Sequence, residues 1–184
     1  MYERDEQDTQ VLVLSKQIDP SSYASATNTN NAITTATNKE KQGYVAVIYA
    51  GTDDFRSVLT DTNILTKTFG PTSENGTHPF VPHDDIRVHA GFNNAVFKHD
   101  LFKRINHQLQ LIKGDNPNYR LLTTGHSLGA ADAILTAVAL KLQDEWKDEL
   151  VLSINYGCPK TGNRAWRDFV NEMDGLGIWR GESY

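Results

Sequence analysis

A single cysteine, Cys158, rules out a disulfide within the chain and leaves its redox compartment open. Its thiol reads as a buried turn residue. Long hydrophobic runs are missing too: none approaches the ~18 residues that a membrane span requires, so no transmembrane segment is expected. Positive charge is the minority sign, with 18 Lys and Arg against 23 Asp and Glu for a net charge of −5. That balance argues against nucleic acid as a partner. The first residues, MYERDEQDTQ, carry charge and no apolar core, so no signal peptide is visible. The expectation is a soluble protein, cytoplasmic, or secreted if residues precede Met1. Histidine is absent from the last part of the chain, since all six lie at or before position 126. What is present, 184 residues with 39% hydrophobic content, is enough to bury the core of one domain.

Val11 to Leu14 suits a strand, and the Ser/Thr/Asn/Ala-rich tract over 20–40 has little to bury and reads as a polar loop. Tyr44 to Tyr49 is a buried strand that stops at Ala50-Gly51-Thr52. An amphipathic piece, Phe55 to Leu65, is followed by Gly70-Pro71, Asn75-Gly76, Pro79 and Pro82, which break any longer element. Asn75-Gly76-Thr77 is a glycosylation sequon, usable only on a secretory route. Ile86 to His89 is a short strand. Gly91 then leads into one helix, ended by Gly114, in which Phe92, Val96, Phe102, Ile105, Leu109 and Ile112 recur at three and four residues apart from one wider gap. Next come a strand over Tyr119 to Thr124, a helix from Ser127 to about Leu142 and a strand over Leu150 to Tyr156. A helix capped by Asn163 runs to about Met173, and Ile178 begins a last strand. This alternation predicts an α/β fold with a mostly parallel sheet and helices on both faces.

Gly125-His126-Ser127-Leu128-Gly129 stands between a β-branched apolar run and an alanine-rich stretch. A serine hydroxyl is a weak nucleophile unless a base and the positive end of a helix reach it, and a sharp strand-to-helix turn provides that exposure. A chain of this size contains the bare Gly-x-Ser-x-Gly pattern by chance about one time in twenty. The flanking strand and small-residue helix therefore make Ser127 the candidate nucleophile. The backbone N–H of Leu128, at the helix start, can donate to a developing oxyanion, and Thr52, closing a strand expected beside the elbow, offers a second donor. A base is harder to find, because no histidine follows Ser127 and the order Ser, Asp, His cannot be completed. His126 adjoins the nucleophile but points elsewhere, and His89 reads as fixing the strand and helix beside the site. His78, His83, His99 and His107 read as solvated, and Asp174 as a turn acid.

Four blocks in succession resemble the class 3 lipases, the fungal-type triacylglycerol lipases of the α/β-hydrolase fold. Val45 to Thr52 is similar to the family's oxyanion strand, and Val88-His89-Ala90-Gly91-Phe92 to its Val-His-x-Gly-Phe block. Leu122 to Ala130 is similar to its elbow, and Tyr156 to Asn163 to its Phe-Gly-x-Pro-x-x-Gly-Asn turn. The resemblance implies an α/β-hydrolase-type sheet with its last strands missing, 1–184 being a single, partial domain. It implies an acyl-serine mechanism on a carboxylic ester at a lipid–water interface, foremost a glycerolipid, or another ester such as a phospholipid or a feruloylated polysaccharide. Ser127 attacks, Thr52 and Leu128 hold the oxyanion, and residues 53–66 form a lid in which Phe55, Val58, Leu59, Ile64 and Leu65 cover an apolar cleft. No cofactor or metal is expected. The chain has Ala50 where the family usually has arginine, and Val58 where the lid usually has an aromatic. The family's Asp-x-Val-Pro block and later histidine are not found among the 184 residues. The expectation is thus a lipid ester hydrolase lacking its general base and acid, nearly inactive by itself. Its unpaired sheet edge predicts poor folding. The alternative is an inactive lipase relative that serves as a lipid-binding or interaction module.

Overall fold

The computed structural model describes residues 2–4, 9–18, 42–51, 65–71 and 80–181, the first three as backbone. The expected polar loop over 20–40, the sequon at Asn75 and His78 lie outside the described residues, as does the expected lid except for Leu65 and Thr66. In chain order the elements are β1 (Tyr2–Arg4), β2 (Gln10–Gln17), β3 (Gly43–Tyr49), β4 (Thr66–Thr68), β5 (Arg87–His89), α1 (Ala90–Phe97), α2 (Leu101–Asp115), β6 (Tyr119–His126), α3 (Leu128–Lys141), β7 (Val151–Tyr156), α4 (Arg164–Asn171) and β8 (Leu176–Gly181).

Six strands make the main sheet in the order β1-β2-β3-β6-β7-β8. β1, β2 and β3 meet antiparallel, whereas β3, β6, β7 and β8 are all parallel. Each parallel crossover steps to the next strand in the same direction, so right-handed connections bring the described helices to one face. The strands obey that arrangement residue by residue. In β6, Tyr119, Leu121 and Thr123 are buried while Arg120 is exposed and Leu122 and Thr124 are half-covered; β7 repeats the alternation. The covered face carries the core, where Val45, Val47, Tyr49, Leu121 and Val151 meet Ile105, Leu109, Ile134, Leu135 and Val138. The expectation of helices on both faces is met on that face by the described residues.

α3 sits at the centre and is buried from Gly129 to Lys141. A helix that is apolar around its circumference except at Asp132, Thr136 and Lys141 belongs inside a fold, and its alanines let the sheet approach on one side and α1 on another. Both long helices end on a buried lysine. Lys113 Nζ donates to the carbonyls of Pro117 and Tyr119 at 2.7 and 2.6 Å, and Lys141 Nζ to those of Lys147 and Glu149 at 2.5 and 2.7 Å. Each ammonium satisfies the turn that follows its own helix and complements the negative helix end.

Two sequence expectations are corrected. The helix expected from Gly91 to Ile112 is two helices, parted by a 3-10 turn at Lys98–Asp100 in which His99 and Asp100 take φ of 54° and 58°. The break falls in the wider gap of the apolar repeat, because Val96 and Phe102, six residues apart, cannot lie on one helical stripe. The strand over Arg87–His89 does not join the main sheet; it pairs antiparallel with Thr66–Thr68 in a separate ribbon. Thr66, expected to end the lid, is thereby a strand residue. Asn93 pins this ribbon by a reciprocal pair, donating to the Gly70 carbonyl at 2.8 Å and accepting from its N–H at 2.9 Å.

Candidate active site

The parallel register sets Tyr49 opposite Gly125 and Gly125 opposite Asn155. The segments leaving β3, β6 and β7 therefore emerge side by side at the carboxyl ends of the strands, where open α/β sheets hold their ligands. Ser127 leaves the middle strand. Its backbone has φ 56° and ψ −123°, a conformation that only a sharp strand-to-helix turn requires, and it serves as the N-cap of the 14-residue α3. Two glycines permit the turn. A Cβ at Gly129 would stand 2.7 Å from the carbonyl oxygens of Tyr49 and Ala50, and one at Gly125 would run into the Gly129 carbonyl. Only hydrogen fits at either position.

Neighbouring strands brace the turn. The Ser127 N–H donates to the Tyr156 carbonyl at 3.0 Å, tying the elbow to the end of β7. From the other side β3 delivers Gly51 against it, a Cβ on that residue falling 2.9 Å from the His126 carbonyl and 3.7 Å from Ser127 Cβ. Thr52, the expected second oxyanion donor, lies outside the described residues. Leu128 occupies the first position of α3, where its N–H is one of the donors that a helix start leaves without an intrahelical partner. Ser127 Oγ is buried and has no hydrogen-bond partner among the described residues. A hydroxyl at the positive end of a helix, held by its backbone and not by its own hydrogen bond, is free to be aimed at an incoming carbonyl.

The remaining candidates fall as their local chemistry dictates. His126 is exposed on the sheet face opposite Gly125. His89 caps α1, its Nδ1 accepting from the Gly91 N–H at 3.1 Å while its ring lies 4.6 Å from that of Phe92. Burial holds its pKa below the ordinary histidine value. Asp174 lies in the exposed turn before β8, and His83 and His107 are exposed. Burial pushes the Cys158 thiol up to about 11, so a thiolate is scarce at neutral pH. Sequence reasoning missed a buried polar seam beneath the elbow. Thr123 Oγ1 and Asn155 Nδ2 each lie 2.8 Å from Ser153 Oγ, and Tyr49 OH lies 2.7 Å from Thr136 Oγ1. The signal was three polar residues at inward positions of β6 and β7.

Residues 46–180 match the family described as Lipase (class 3), nearly three quarters of the chain. The chain belongs to the class 3 lipase family. Among curated relatives, Lipase A of Sodiomyces alcalophilus is 27% identical over 141 residues, covering 73% of this chain and 33% of that protein. A secreted mono- and diacylglycerol lipase of Malassezia restricta is 35% identical over 91 residues, 50% of this chain and 28% of that protein. The matches thus span about a third of the length of these relatives. A triacylglycerol lipase from Penicillium expansum superposes with a TM-score of 0.68 at 21% identity, over 99% of this chain and 57% of that one. The lipase from Rhizopus microsporus var. chinensis gives 0.65 at 24%, over 98% and 51%. At such identities the likeness is one of fold, and it agrees with the α/β-hydrolase-type sheet built above. Among the described residues, no helix is long and apolar enough to cross a membrane.

Proposed function

We propose that this chain carries the nucleophile and oxyanion half of a serine hydrolase acting on lipid carboxylic esters. The observation that carries the reading is Ser127 itself: a non-glycine residue at positive φ on the N-cap of a buried helix, its hydroxyl unengaged by the described residues. In the proposed reaction Ser127 Oγ adds to the acyl carbonyl, the N–H of Leu128 and the N–H and hydroxyl of Thr52 receive the oxyanion, and the collapse expels the alcohol. Water then releases the fatty acid from the acyl-serine. Residues 53–65, ahead of β4, are proposed as the lid that excludes water from the cleft. The membership of the family and the mono- and diacylglycerol lipase named among the relatives support a glycerolipid as the substrate class.

The base that takes the Ser127 proton, and the acid that orients it, are proposed to come from beyond the 184 residues. A serine hydrolase without those partners keeps only about a thousandfold to ten-thousandfold acceleration over water. A fluorophosphonate probe tests this directly. Slow or no labelling of the 184-residue chain, with fast labelling at Ser127 in a longer native product, is expected. Rapid labelling of the 184 residues alone would show that a base is already within reach. A longer native product that turns nothing over, and whose lipid binding is unchanged by Ser127→Ala, would favour the non-catalytic module instead.

A further inference from the structure

A cavity of about 330 Å³ lies between the loop that follows β7, the helix α4 and the end of β8, and none of its lining residues belongs to the Ser127 turn. It opens at the same end of the sheet as the elbow. The loop leaves β7 at Tyr156, whose carbonyl receives the Ser127 N–H, and Arg180 of β8 stands opposite Asn155 in the register. The wall is fixed before any ligand arrives. Asn163 Oδ1 accepts from the N–H groups of Arg87 and Trp166 at 3.3 and 2.9 Å, and its Nδ2 donates to the Asp85 carbonyl at 2.6 Å. Trp166 Nε1 donates to Thr161 Oγ1 at 2.9 Å, and the Thr161 carbonyl accepts from the His89 N–H at 2.9 Å. A Cβ at Gly162 would stand 2.6 Å from the Arg87 carbonyl oxygen and 2.7 Å from the Trp166 ring, so only glycine lets the loop pack so closely.

Four cations line this wall: Lys160, Arg164, Arg167 and Arg180. No acid lines it among the described residues. The carboxylate nearest to hand is Asp168, which holds Arg167 Nη2 at 2.6 Å and stands 3.9 Å from Arg164 Nε. One carboxylate cannot neutralise two guanidinium groups. Lys160 and Arg180 have no ion pair or side-chain hydrogen bond among the described residues. Positive charge is therefore in excess around one cavity, in a chain whose net charge is −5. Such a cluster repels itself until an anion lies among its members. A carboxylate would cancel a single charge, whereas a phosphate monoester brings about −1.5 to −2 at neutral pH and three acceptor oxygens. Guanidinium forks match those oxygens in pairs.

We infer that this cavity binds a phosphate group, held among Lys160, Arg164, Arg167 and Arg180 over the fixed wall of Thr161 and Trp166. The inference goes beyond the ester-hydrolase reading and does not need Ser127 to be reactive. The same chemistry serves a free phosphate or the headgroup of a phospholipid.

Titration of the 184-residue chain with inorganic phosphate, followed by NMR chemical shifts, tests the assignment. Saturable shifts are expected at the Gly162 and Arg164 amides, the Trp166 indole and the Asn171 side-chain amide, and not with chloride at equal ionic strength. Arg180→Gln and Lys160→Gln, changes at exposed residues, are each expected to weaken binding about tenfold or more, as the loss of a charge-assisted contact implies. Arg120→Gln, which removes an exposed cation at the opposite end of the sheet, is expected to leave it unchanged. So is Ser127→Ala, which separates this site from the proposed catalytic one. In that unreactive variant, dihexanoylphosphatidate below its micelle concentration is compared with dihexanoylglycerol. Binding at least about tenfold tighter than that of inorganic phosphate would make a lipid headgroup the source, and equal binding a free phosphate. Shifts no larger than those of chloride, an equal loss in Arg120→Gln and Arg180→Gln, or the same shifts from dihexanoylglycerol as from the phosphatidate would overturn the inference.

Discussion

At the residue scale the elbow joins stability to reactivity. Ser127 holds φ 56° and ψ −123°, a region that costs a residue with a side chain roughly 1–3 kcal/mol. Glycine relieves that strain and alanine does not. Ser127→Gly is therefore expected to be more stable than Ser127→Ala by about 1 kcal/mol, once the entropy that glycine adds to the unfolded chain is subtracted. Urea melts at a common m-value check this, and coincident midpoints would mean that the turn stores no strain. Cys158, with its thiol pushed up to about 11 by burial, is expected to resist iodoacetamide at pH 7 and to react as the solution approaches that value in the folded protein. Lys141→Met is expected to cost about 2–4 kcal/mol, because it strips a buried donor from the Lys147 and Glu149 carbonyls. Ser127 and its helix start were legible in the sequence because the chemistry sits within five consecutive residues. The Asn93–Gly70 pair was not, since its partners are 23 residues apart and neither carries a local signal.

Among the elements, α1 shows how a cap couples a helix to pH. His89 Nδ1 must be unprotonated to accept from the Gly91 N–H, and burial holds its folded pKa below the ordinary value. For a folded value that is lowered, the unfolded chain takes up the proton first, so stability is full above the unfolded value of about 6.5 and declines as pH falls through the folded one. The melting temperature is expected to drop below about pH 6.5, and His89→Asn, which keeps an N-cap acceptor that does not titrate in this range, to flatten that part of the profile. A drop of equal size in both proteins would place its origin elsewhere. The break between α1 and α2 offers a second test at this scale: Asp100→Gly is expected to leave the melting temperature unchanged or raised, because glycine takes the φ of 58° without steric cost. The strands were read well because β-branched runs such as Tyr44 to Tyr49 stop at turn residues. The interrupted helix was visible only as a gap in spacing, and the β4–β5 ribbon was hidden because three-residue strands carry too little periodicity to register.

For the whole molecule, the sheet's two faces differ. Opposite the helices, the register lines up Leu12, Ile48, Thr124, Ile154 and Trp179 in one row from β2 to β8. Leu12 is 37% exposed and Trp179 54%, and Trp179 meets the exposed Tyr156 edge to face at 5.4 Å. The fold class was legible because strand and helix alternate along the chain. The partial exposure of this face among the described residues was not, since burial on the second side of a strand depends on segments far away in sequence. Tryptophan emission reports on it directly. Trp146 and Trp166 are buried at 3% and 2%, so of three tryptophans only Trp179 is reachable from water. A polar quencher such as acrylamide is expected to reach roughly a third of the emission in the 184-residue chain, and Trp179→Phe to remove that fraction. A row of apolar groups beside an edge strand also favours association between copies. The 184-residue chain is accordingly expected to grow in apparent mass with concentration, and the pair of changes Leu12→Lys and Trp179→Lys to suppress the growth without altering the melting curve. If the chain stays monomeric while Trp179 resists quenching, the row is covered within the same molecule, and the open face is closed by its own sequence.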